Sequence, residues 1–421
     1  MWSKCGEGAG LLKRIQDEGN NCSIYIQEKD YSNVYDGILC QTDSPETNDI
    51  IIFDSSGNGQ KADYFRKEGF KVFGASAFAD KLENDRRFGL DFMLDHGIMV
   101  PDTYEFKDFK EAINFVKSNK KIRFVFKPSG KNLPCKLTYA GQDYEDLITY
   151  MKFVERSFSK EIDEFILQEF IEGSIVSSEY WVGKNGFIEP INHTIEVKKF
   201  MNDDIGPSTG CSGNIVWQGN DDSNLAVALG RVEEDLVKEH YVGPIDINCI
   251  INDEGIFGLE WTPRFGLDAM PTLLTLVEDD IGRVISNAVN GQDNEMNLLQ
   301  CFSGGARVSI PPYPIEPDDV KALQKIYPNE NVPILGLEED NSYFYEVMKQ
   351  DDMLVHSSGT GVIACVSDIG ESPEECYDSV YKILENCKIP DVQYRTDLGK
   401  VLTRMYDDIK EVMNVDFFVY S

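Results

Sequence analysis

Residues 244–264 read PIDINCIINDEGIFGLEWTPR, and this stretch decides the fold because it predicts two strands joined by a tight turn. The tetrapeptide NDEG at 252–255 is typical of a hairpin turn between two apolar runs. Alternate residues of a strand face the same side, so Asp246 shares a face with Asn248, and Glu260 shares a face with Thr262. Antiparallel pairing then makes these two pairs neighbours.

The four side chains combine two carboxylates with two neutral oxygens, a donor set that suits Mg²⁺ or Mn²⁺ shared with phosphates. We therefore predict Asp246, Asn248, Glu260 and Thr262 as metal ligands. A solvated strand face is the alternative, but the segment is otherwise strongly apolar and an unpartnered carboxylate is costly there. Arg264, two residues further on, can bind a phosphate through two parallel hydrogen bonds. A surface ion pair is the alternative for this arginine.

Upstream of the hairpin, strand and helix patterns alternate. SIYI at 23–26 and the continuous β-branched run NDIIIFD at 48–54 predict strands, and VFG at 72–74 predicts the next one. ADKLENDRRFGLDFMLDHG at 79–97 predicts one amphipathic helix that ends at Gly97. This βαβα order predicts a parallel sheet covered by helices.

Two further segments are candidates for nucleotide contacts. Lys127 ends the strand VFK and is followed by Lys131 and Lys136 in GKNLPCK, where a lysine beside a flexible loop can reach phosphate oxygens. The spacing is not that of a phosphate-binding P-loop, and a solvated lysine is the alternative. LQEFIEG at 167–173 offers Gln168 and Glu169 on a strand, and Glu179 lies on the next strand; a carboxylate there can bond an adenine amino group or ribose hydroxyls.

Two glycine-rich segments complete the candidates. MNDDIGPSTGCSG at 201–213 predicts a long polar loop in which Ser208, Thr209 and the glycine amides form a nest for an anion, or are simply loop residues. CGEGAG at 5–10 matches only part of the dinucleotide-binding pattern GxGxxG.

Charge and composition exclude several classes of protein. The 421 residues include 40 Lys and Arg against 73 Asp and Glu, a net charge of −33, which opposes binding to nucleic acid or to anionic membranes. No apolar run reaches the ~18 residues of a membrane span, and the length predicts two to three domains. Ten scattered cysteines without a CxxC pair argue against a zinc site and for reduced thiols in a cytoplasm.

Ordered segments along nearly the whole chain together resemble the ATP-grasp ligases, and more closely the phosphoribosylamine–glycine ligase family. Six segments carry the resemblance. In chain order they are VFGASAFADKLENDRRFGLDFMLDHGIMVP at 72–101, VFKPSG at 125–130, LQEFIEG at 167–173, IGPSTGCSG at 205–213, LEWTPRFG at 259–266 and HSSGTGVIACVSDIGESPEECYDSVYKIL at 356–384. Several motifs in the same order are far more specific than any one of them.

The resemblance implies an α/β protein with the ATP-grasp fold. It implies an N-terminal parallel-sheet (pre-ATP-grasp) domain over 1–98, an ATP-grasp domain over 99–298 with a small lid subdomain at about 120–185, and a C-terminal β-rich α+β domain over 299–421. We expect the early strands, the central hairpins and the helices near 372–386 and 396–413 to follow this division.

The implied activity is an ATP- and Mg²⁺-dependent ligation in purine biosynthesis. Glycine is activated as an acyl phosphate, and the amine of phosphoribosylamine then displaces phosphate to give an amide. By resemblance, the residues divide as follows: catalytic Arg264, Lys198 and Thr209; ATP-binding Lys127, Lys136, Gln168, Glu169 and Glu179; metal-binding Asp246, Asn248, Glu260 and Thr262; substrate-binding Ser208, Thr209, Gly210, Gly213 and Arg264.

The sequence departs from the family at several of these positions. Thr262 stands where the family has a metal-binding asparagine, GLDA replaces GDPE after Arg264, and KNLPCKL replaces the glycine-rich flap. The glutamate of the family's GEE is Ile175 here, for which Glu179 is the candidate substitute. ATP and metal chemistry are therefore expected to be retained, while the acceptor pocket is expected to differ.

Three alternatives remain open. One is a divergent ligase that joins another amino acid to another amine, for example in nucleotide or nucleobase modification. The others are a non-catalytic nucleotide-binding module and, from CGEGAG alone, a dinucleotide-dependent oxidoreductase. In the ligase interpretation the partners are small molecules, with neither nucleic acid nor membrane, and the protein is a cytoplasmic monomer or homodimer.

Overall fold

The architecture comes from a computed structural model that describes residues 1–43, 50–129, 137–292, 295–315, 325–357 and 359–413. Within these ranges, no helix combines the length and the apolar character needed to cross a bilayer. Lys131 and Lys136 lie outside the described residues.

The N-terminal part is a small parallel sheet with helices, as the βαβα pattern predicts. Its elements are β1 (Trp2–Ser3), α1 (Ala9–Asp17), β2 (Ser23–Ile26), a 3₁₀ turn (Lys29–Tyr31), β3 (Cys40–Gln41), β4 (Ile50–Ile52), α2 (Gly59–Lys67), β5 (Lys71–Phe73), α3 (Ala77–Asn84) and α4 (Arg86–Asp95). Strands β1, β2 and β3 pair in parallel, as do β4 and β5. A parallel bridge between Trp2 and Phe53 joins the two groups.

The single long helix expected over residues 79–97 is wrong, because the chain breaks between α3 and α4 at Asp85. This residue has an extended backbone (φ −103°, ψ 90°), and its carboxylate accepts a hydrogen bond from the Phe88 amide as the N-cap of α4. The apolar period continues through the break, so the period alone did not reveal it. Arg86 consequently opens the new helix.

A second, smaller unit (the small unit) has its own sheet and core. It consists of β6 (Thr103–Phe106), α5 (Phe109–Ser118), β7 (Phe124–Ser129), β8 (Tyr139–Ala140), α6 (Tyr144–Phe158) and β9 (Glu164–Glu169). The antiparallel strand order is β6-β9-β7-β8. One face packs on α5 and α6 around buried aromatic residues such as Phe124, Phe126 and Phe165.

The rest of the described chain is organised around one eight-stranded antiparallel sheet. Its elements are β10 (Ser174–Gly183), β11 (Gly186–Lys199), β12 (Ser208–Gln218), α7 (Asn224–Gly230), α8 (Glu233–Lys238), β13 (Gly243–Asn252), β14 (Gly255–Thr262), α9 (Ala269–Leu276), α10 (Ile281–Asn290), β15 (Phe302–Ser309), β16 (Ser342–Phe344), β17 (Val347–Gln350), β18 (Met353–His356), β19 (Val362–Gly370), α11 (Pro373–Leu384) and α12 (Leu398–Met413). The strand order is β14-β13-β10-β11-β12-β15-β19-β16, and β17 pairs with β18. The sheet therefore continues across the predicted boundary at residue 298, and the division into three domains stays a prediction.

The polar loop expected over 201–213 is wrong from Ser208 onward, because β12 begins there and pairs with β11 and β15. The two ends of this glycine- and serine-rich segment are anchored by pairing, Ser208 with Lys199 of β11 and Gly213 with Val197 of β11 and Ala306 of β15. Ser208, Thr209, Gly210 and Gly213 are therefore extended strand residues and form no nest. The apolar pattern of NLAVALGRVEEDLVKEH at 224–240 also predicts one continuous helix, but the chain forms two, α7 and α8.

Candidate active site

The β13–β14 hairpin forms with the predicted register. Asp246 lies opposite Thr262, and Asn248 lies opposite Glu260. The Asn248 amide donates hydrogen bonds to Asp246 Oδ1 (2.8 Å) and to Thr262 Oγ1 (3.2 Å). Its own oxygen accepts a 2.8 Å hydrogen bond from the hydroxyl of Ser177 on β10. The prediction that these side chains meet on one face is confirmed.

The same polar rows continue across the sheet. Ser177 pairs with Asn248, and Glu179 pairs with Asp246 on one side and with Asn192 on the other. We call this surface the polar floor, which comprises Ser177, Glu179, Asn192, Glu196, Lys198, Asp246, Asn248, Glu260 and Thr262. The opposite face of these strands is apolar and carries residues such as Ile245, Ile247 and Trp261. Strand alternation therefore places the polar residues together on the other face of the sheet.

Two carboxyl groups on the polar floor have pKa values above their ordinary range. Burial raises the pKa of Glu179 to about 7, although the Trp181 indole N–H (3.1 Å) and the Asn192 amide stabilise its charged form. Burial, helped by Glu179 and Glu196, raises the pKa of Asp246 well above its ordinary value, while Arg264 and Lys198 oppose that shift. A bound cation would lower both pKa values.

A cavity of about 350 Å³ opens beside Glu260 and Thr262, between the hairpin, the N-terminal helices and the small unit. Lys127 on β7 donates a 2.7 Å hydrogen bond to Gln168 Oε1 on β9 inside it. Burial lowers the pKa of Lys127 to about 8; Glu260 counteracts the shift and Arg86 adds to it. The cavity lining contains the following polar side chains: Glu83, Asn84, Arg86, Lys127, Thr138, Gln168, Glu260, Thr262 and Arg264.

Arg264 connects the hairpin with the N-terminal part. Its Nε donates to Glu83 Oε1 (3.1 Å), and its Nη1 donates to the Phe265 carbonyl (3.0 Å). Burial alone would lower the pKa of Arg264, but the carboxylates of Glu83 and Glu7 outweigh it and raise that pKa. The guanidinium charge is thus already partly compensated by two acidic side chains.

Lys198 and Thr209 lie at the far end of the polar floor. The Lys198 ammonium pairs with Glu196, and electrostatic attraction to Glu196 and Glu260 raises its pKa against the opposing effect of burial. The Thr209 hydroxyl donates to the Lys198 carbonyl oxygen (2.9 Å) and contacts the Ser212 hydroxyl at 3.1 Å. The two predicted catalytic residues are therefore joined to each other across β11 and β12.

The structure brings five of the predicted residues together in one cavity, and others lie outside its lining. Lys127, Gln168, Glu260, Thr262 and Arg264 line one cavity. Glu169 follows Gln168 on β9, so its side chain leaves the opposite side of that strand. Glu179 lies on the polar floor beside Asp246, and not in the cavity lined by Lys127.

Sequence reasoning missed Arg86 and Glu83, which line the cavity from the two ends of the α3–α4 break. The signal for Arg86 was the aspartate N-cap immediately before it. The signal for Glu83 is absent from the local pattern, because its partner Arg264 is 181 residues away in the sequence.

The donor set on the hairpin fits a hard divalent cation. Over the described ranges, no three His, Cys, Asp or Glu side chains gather in a group able to hold a metal on their own. Asp246 and Glu260 instead provide two carboxylates on neighbouring strands, and Thr262 lies opposite Asp246 on the same face, a set that leaves coordination positions for phosphate oxygens. Asn248 uses its amide to orient Asp246 and Thr262.

Comparisons with known proteins agree with this geometry. Residues 84–268 match the family model for the ATP-grasp (A) domain of phosphoribosylglycinamide synthetase. Phosphoribosylamine–glycine ligase from Clostridium acetobutylicum is 23% identical over 353 residues, and that from Caldanaerobacter subterraneus is 25% identical over 364 residues; each alignment covers 80% of both chains. The human trifunctional purine biosynthetic protein adenosine-3 is 25% identical over 357 residues, covering 79% of this chain and 33% of that protein.

Solved structures identify the fold. Phosphoribosylamine–glycine ligase from Thermotoga maritima superimposes with a TM-score of 0.69 at 18% identity, covering 94% of this chain and 98% of that one. Biotin carboxylase from Campylobacter jejuni superimposes with a TM-score of 0.63 at 12% identity, covering 98% and 97%. The expectation of an ATP-grasp fold is confirmed.

Proposed function

We propose that this chain, which carries an ATP-grasp domain of the phosphoribosylglycinamide synthetase type over residues 84–268, is an ATP-dependent ligase that joins glycine to phosphoribosylamine. The glycine carboxylate attacks the γ-phosphate of ATP, giving an acyl phosphate and ADP. The amine then attacks the acyl carbon, and phosphate leaves as the amide forms. The observation that carries the proposal is the shared cavity, in which Lys127 and Gln168 face Glu260 and Thr262 of the hairpin.

Each end of the cavity has a separate task in this reaction. Lys127 and Arg86 bring positive charge to the phosphate groups of ATP, where charge develops during transfer. Asp246, Asn248, Glu260 and Thr262 would hold Mg²⁺ or Mn²⁺, which would neutralise phosphate charge. Gln168 holds the Lys127 ammonium in place through its amide oxygen.

The acceptor side extends along the polar floor. Among the described residues, Lys198 and Arg264 are two cations that can meet the glycine carboxylate, the acyl phosphate or the acceptor. Thr209 fixes the Lys198 carbonyl, and the extended segment containing Ser208, Gly210 and Gly213 borders the same end. We place this chemistry in a cytoplasm, which fits the free thiols of the nine described cysteines.

A divergent ligase with an unphosphorylated amine is the second candidate, and one observation favours it. The carboxylates of Glu83 and Glu7 both interact electrostatically with Arg264. Burial first, and repulsion from Asp54 second, raise the pKa of the Glu7 carboxyl. An acceptor phosphate near Arg264 would therefore meet acidic neighbours.

The direct test is ADP release by the full chain with ATP, Mg²⁺, glycine and phosphoribosylamine generated in the assay. We expect ADP formation that requires both glycine and the amine, with glycinamide ribonucleotide detected by mass spectrometry. A panel of other amino acids crossed with other amines is assayed in parallel. ADP formation only with an unphosphorylated amine would favour the second candidate, whereas ATP binding without turnover on any pair would indicate a non-catalytic module.

A further inference from the structure

The turn between β11 and β12 is held in an unusual backbone conformation. Asp203 and Asp204 are adjacent non-glycine residues with φ values of 58° and 54°, in the left-handed region. Such conformations cost free energy and persist only where surrounding contacts enforce them. The turn also exposes the apolar side chains of Met201 and Ile205, so burial of its own side chains does not explain its shape.

Arg395, three residues before the start of α12, supplies the enforcing contacts. Its side chain is almost completely buried, at 1% exposure. One guanidinium nitrogen donates to the Lys199 carbonyl oxygen and to Asp204 Oδ1, both at 2.9 Å. The other two donate to the Asp397 carboxylate at 2.8 and 2.7 Å. One arginine thus joins the end of β11, the turn and the C-terminal segment.

The neighbours of Arg395 repeat the connection. The Asp397 carboxylate accepts a 2.9 Å hydrogen bond from the Asp203 amide. The Asn202 side chain donates to the Thr396 hydroxyl (2.8 Å) and accepts from the Thr396 amide (3.1 Å). We call this set the turn clamp, which comprises Asn202, Asp203, Asp204, Arg395, Thr396 and Asp397.

The clamp lies next to the acceptor end of the polar floor in the sequence and in the sheet. Lys199, whose carbonyl binds Arg395, follows Lys198, and the carbonyl of Lys198 is held by Thr209. The last two backbone carbonyls of β11, immediately before the turn, are therefore both held by side chains from other elements. A change in the turn would alter the direction of the Lys198 side chain without touching Lys127 on the small unit.

We propose that Arg395 is a positioning residue for the ligation step, which sets the β11–β12 turn and so fixes Lys198 towards the amino acid and the amine. The inference rests on the proposed function, because Lys198 is assigned to the acceptor side there. It adds a segment outside the matched ATP-grasp region, residues 395–397, to the determinants of acceptor binding.

The test compares steady-state kinetics of Arg395→Gln and the wild-type protein. We expect the KM for the amine to rise about tenfold, the scale of losing one hydrogen bond to a charged group, and the KM for ATP to stay within about twofold. Arg395→Lys keeps the charge and should recover part of the loss. Arg283→Gln, on the exposed arginine of α10 that pairs with Asp279, is the matched control and should change neither constant. An equal rise in both KM values, or no change in either, would overturn the proposal.

A second variant and a second measurement separate this inference from the proposed function. Asp204→Asn changes the half-exposed end of the clamp and should raise the amine KM less than Arg395→Gln does. This variant keeps the test usable if Arg395→Gln folds poorly. Amide hydrogen exchange over residues 198–209 needs no substrate and should accelerate in both variants, with α5 as the internal reference. Unchanged exchange there refutes the clamp whatever the activity. If exchange is faster in both variants while the wild-type protein releases no ADP with any pair, the clamp is upheld as a structural link, but its positioning role and the ligase proposal are both refuted.

Discussion

Lys127 and Gln168 contact each other across β7 and β9, through a 2.7 Å hydrogen bond from the ammonium to the amide oxygen. The two residues are 41 positions apart in the sequence and face the same cavity as Glu260. A partly buried lysine held by a neutral oxygen keeps hydrogen-bond donors for an anion, because its single described partner takes only one of three N–H groups.

Replacement of Lys127 by methionine should weaken ATP binding and slow phosphoryl transfer. A positive charge that faces the transferring oxygens is lost, while the apolar stem is largely retained. We expect a rise of at least tenfold in the KM for ATP and a similar fall in kcat, measured by ADP release. Lys117→Met, on the exposed side of α5, is the matched control. Wild-type affinity and rate in Lys127→Met would remove this lysine from the nucleotide site.

Replacement of Glu260 on the hairpin should reduce turnover more than replacement of Asp246. Glu260→Gln removes a charge from an exposed side chain beside the cavity, so turnover at saturating Mg²⁺ should fall by at least a hundredfold with little change in thermal stability. Asp246→Asn leaves a neutral oxygen at a buried position and should reduce turnover less. The measurement is ADP release over a Mg²⁺ titration, with circular dichroism as the check on folding. Near-wild-type turnover by Glu260→Gln would contradict a metal site at this hairpin.

The pKa of Glu179 predicts a specific pH dependence of stability in the metal-free protein. The folded state raises this pKa from 4.5 to about 7, so the folded protein holds a proton that the unfolded chain has already lost between these values. The stabilising contribution is therefore present below pH 4.5 and is lost as pH rises towards 7, by up to about 3 kcal/mol.

Urea unfolding at pH 5 and pH 8 measures this effect. Glu179→Gln cannot ionise, so it should lose less stability between the two pH values than the wild-type protein. Glu254→Gln, on the exposed β13–β14 turn, should behave like wild type. If Glu179→Gln shows the wild-type pH dependence, other groups carry it.

The sequence predicted features that depend on local alternation and missed those that depend on distant partners. The faces of Asp246 and Glu260 followed from strand periodicity and one turn, both of which are local. The break at Asp85 was missed because the apolar period continues through it. The strand that begins at Ser208 was missed because its polar composition does not show that Ser208 pairs with Lys199 of β11. Arg395 and Glu83 could not be found, because their partners come close only when the sheet and the helices assemble.

Arg264 provides the prediction that distinguishes the two candidate functions. Arg264→Lys loses the forked guanidinium and keeps only a point charge. The interaction with the acceptor should therefore weaken by ~1.5–3 kcal/mol, seen in the acceptor KM or in kcat, while the KM for ATP stays nearly unchanged. Glu83→Gln acts in the opposite direction, because it removes one of the carboxylates that share the charge of Arg264.

With a phosphorylated amine, Glu83→Gln should therefore lower the acceptor KM, and the double variant with Arg264→Lys should lose that gain. With an unphosphorylated amine, Glu83→Gln should leave the KM unchanged or raise it, since no anion is present to use the released charge. Titration of the single and double variants with both kinds of amine, and with ATP as the reference, gives the answer directly. Equal weakening of ATP and amine by Arg264→Lys would assign this arginine to the ATP phosphates instead.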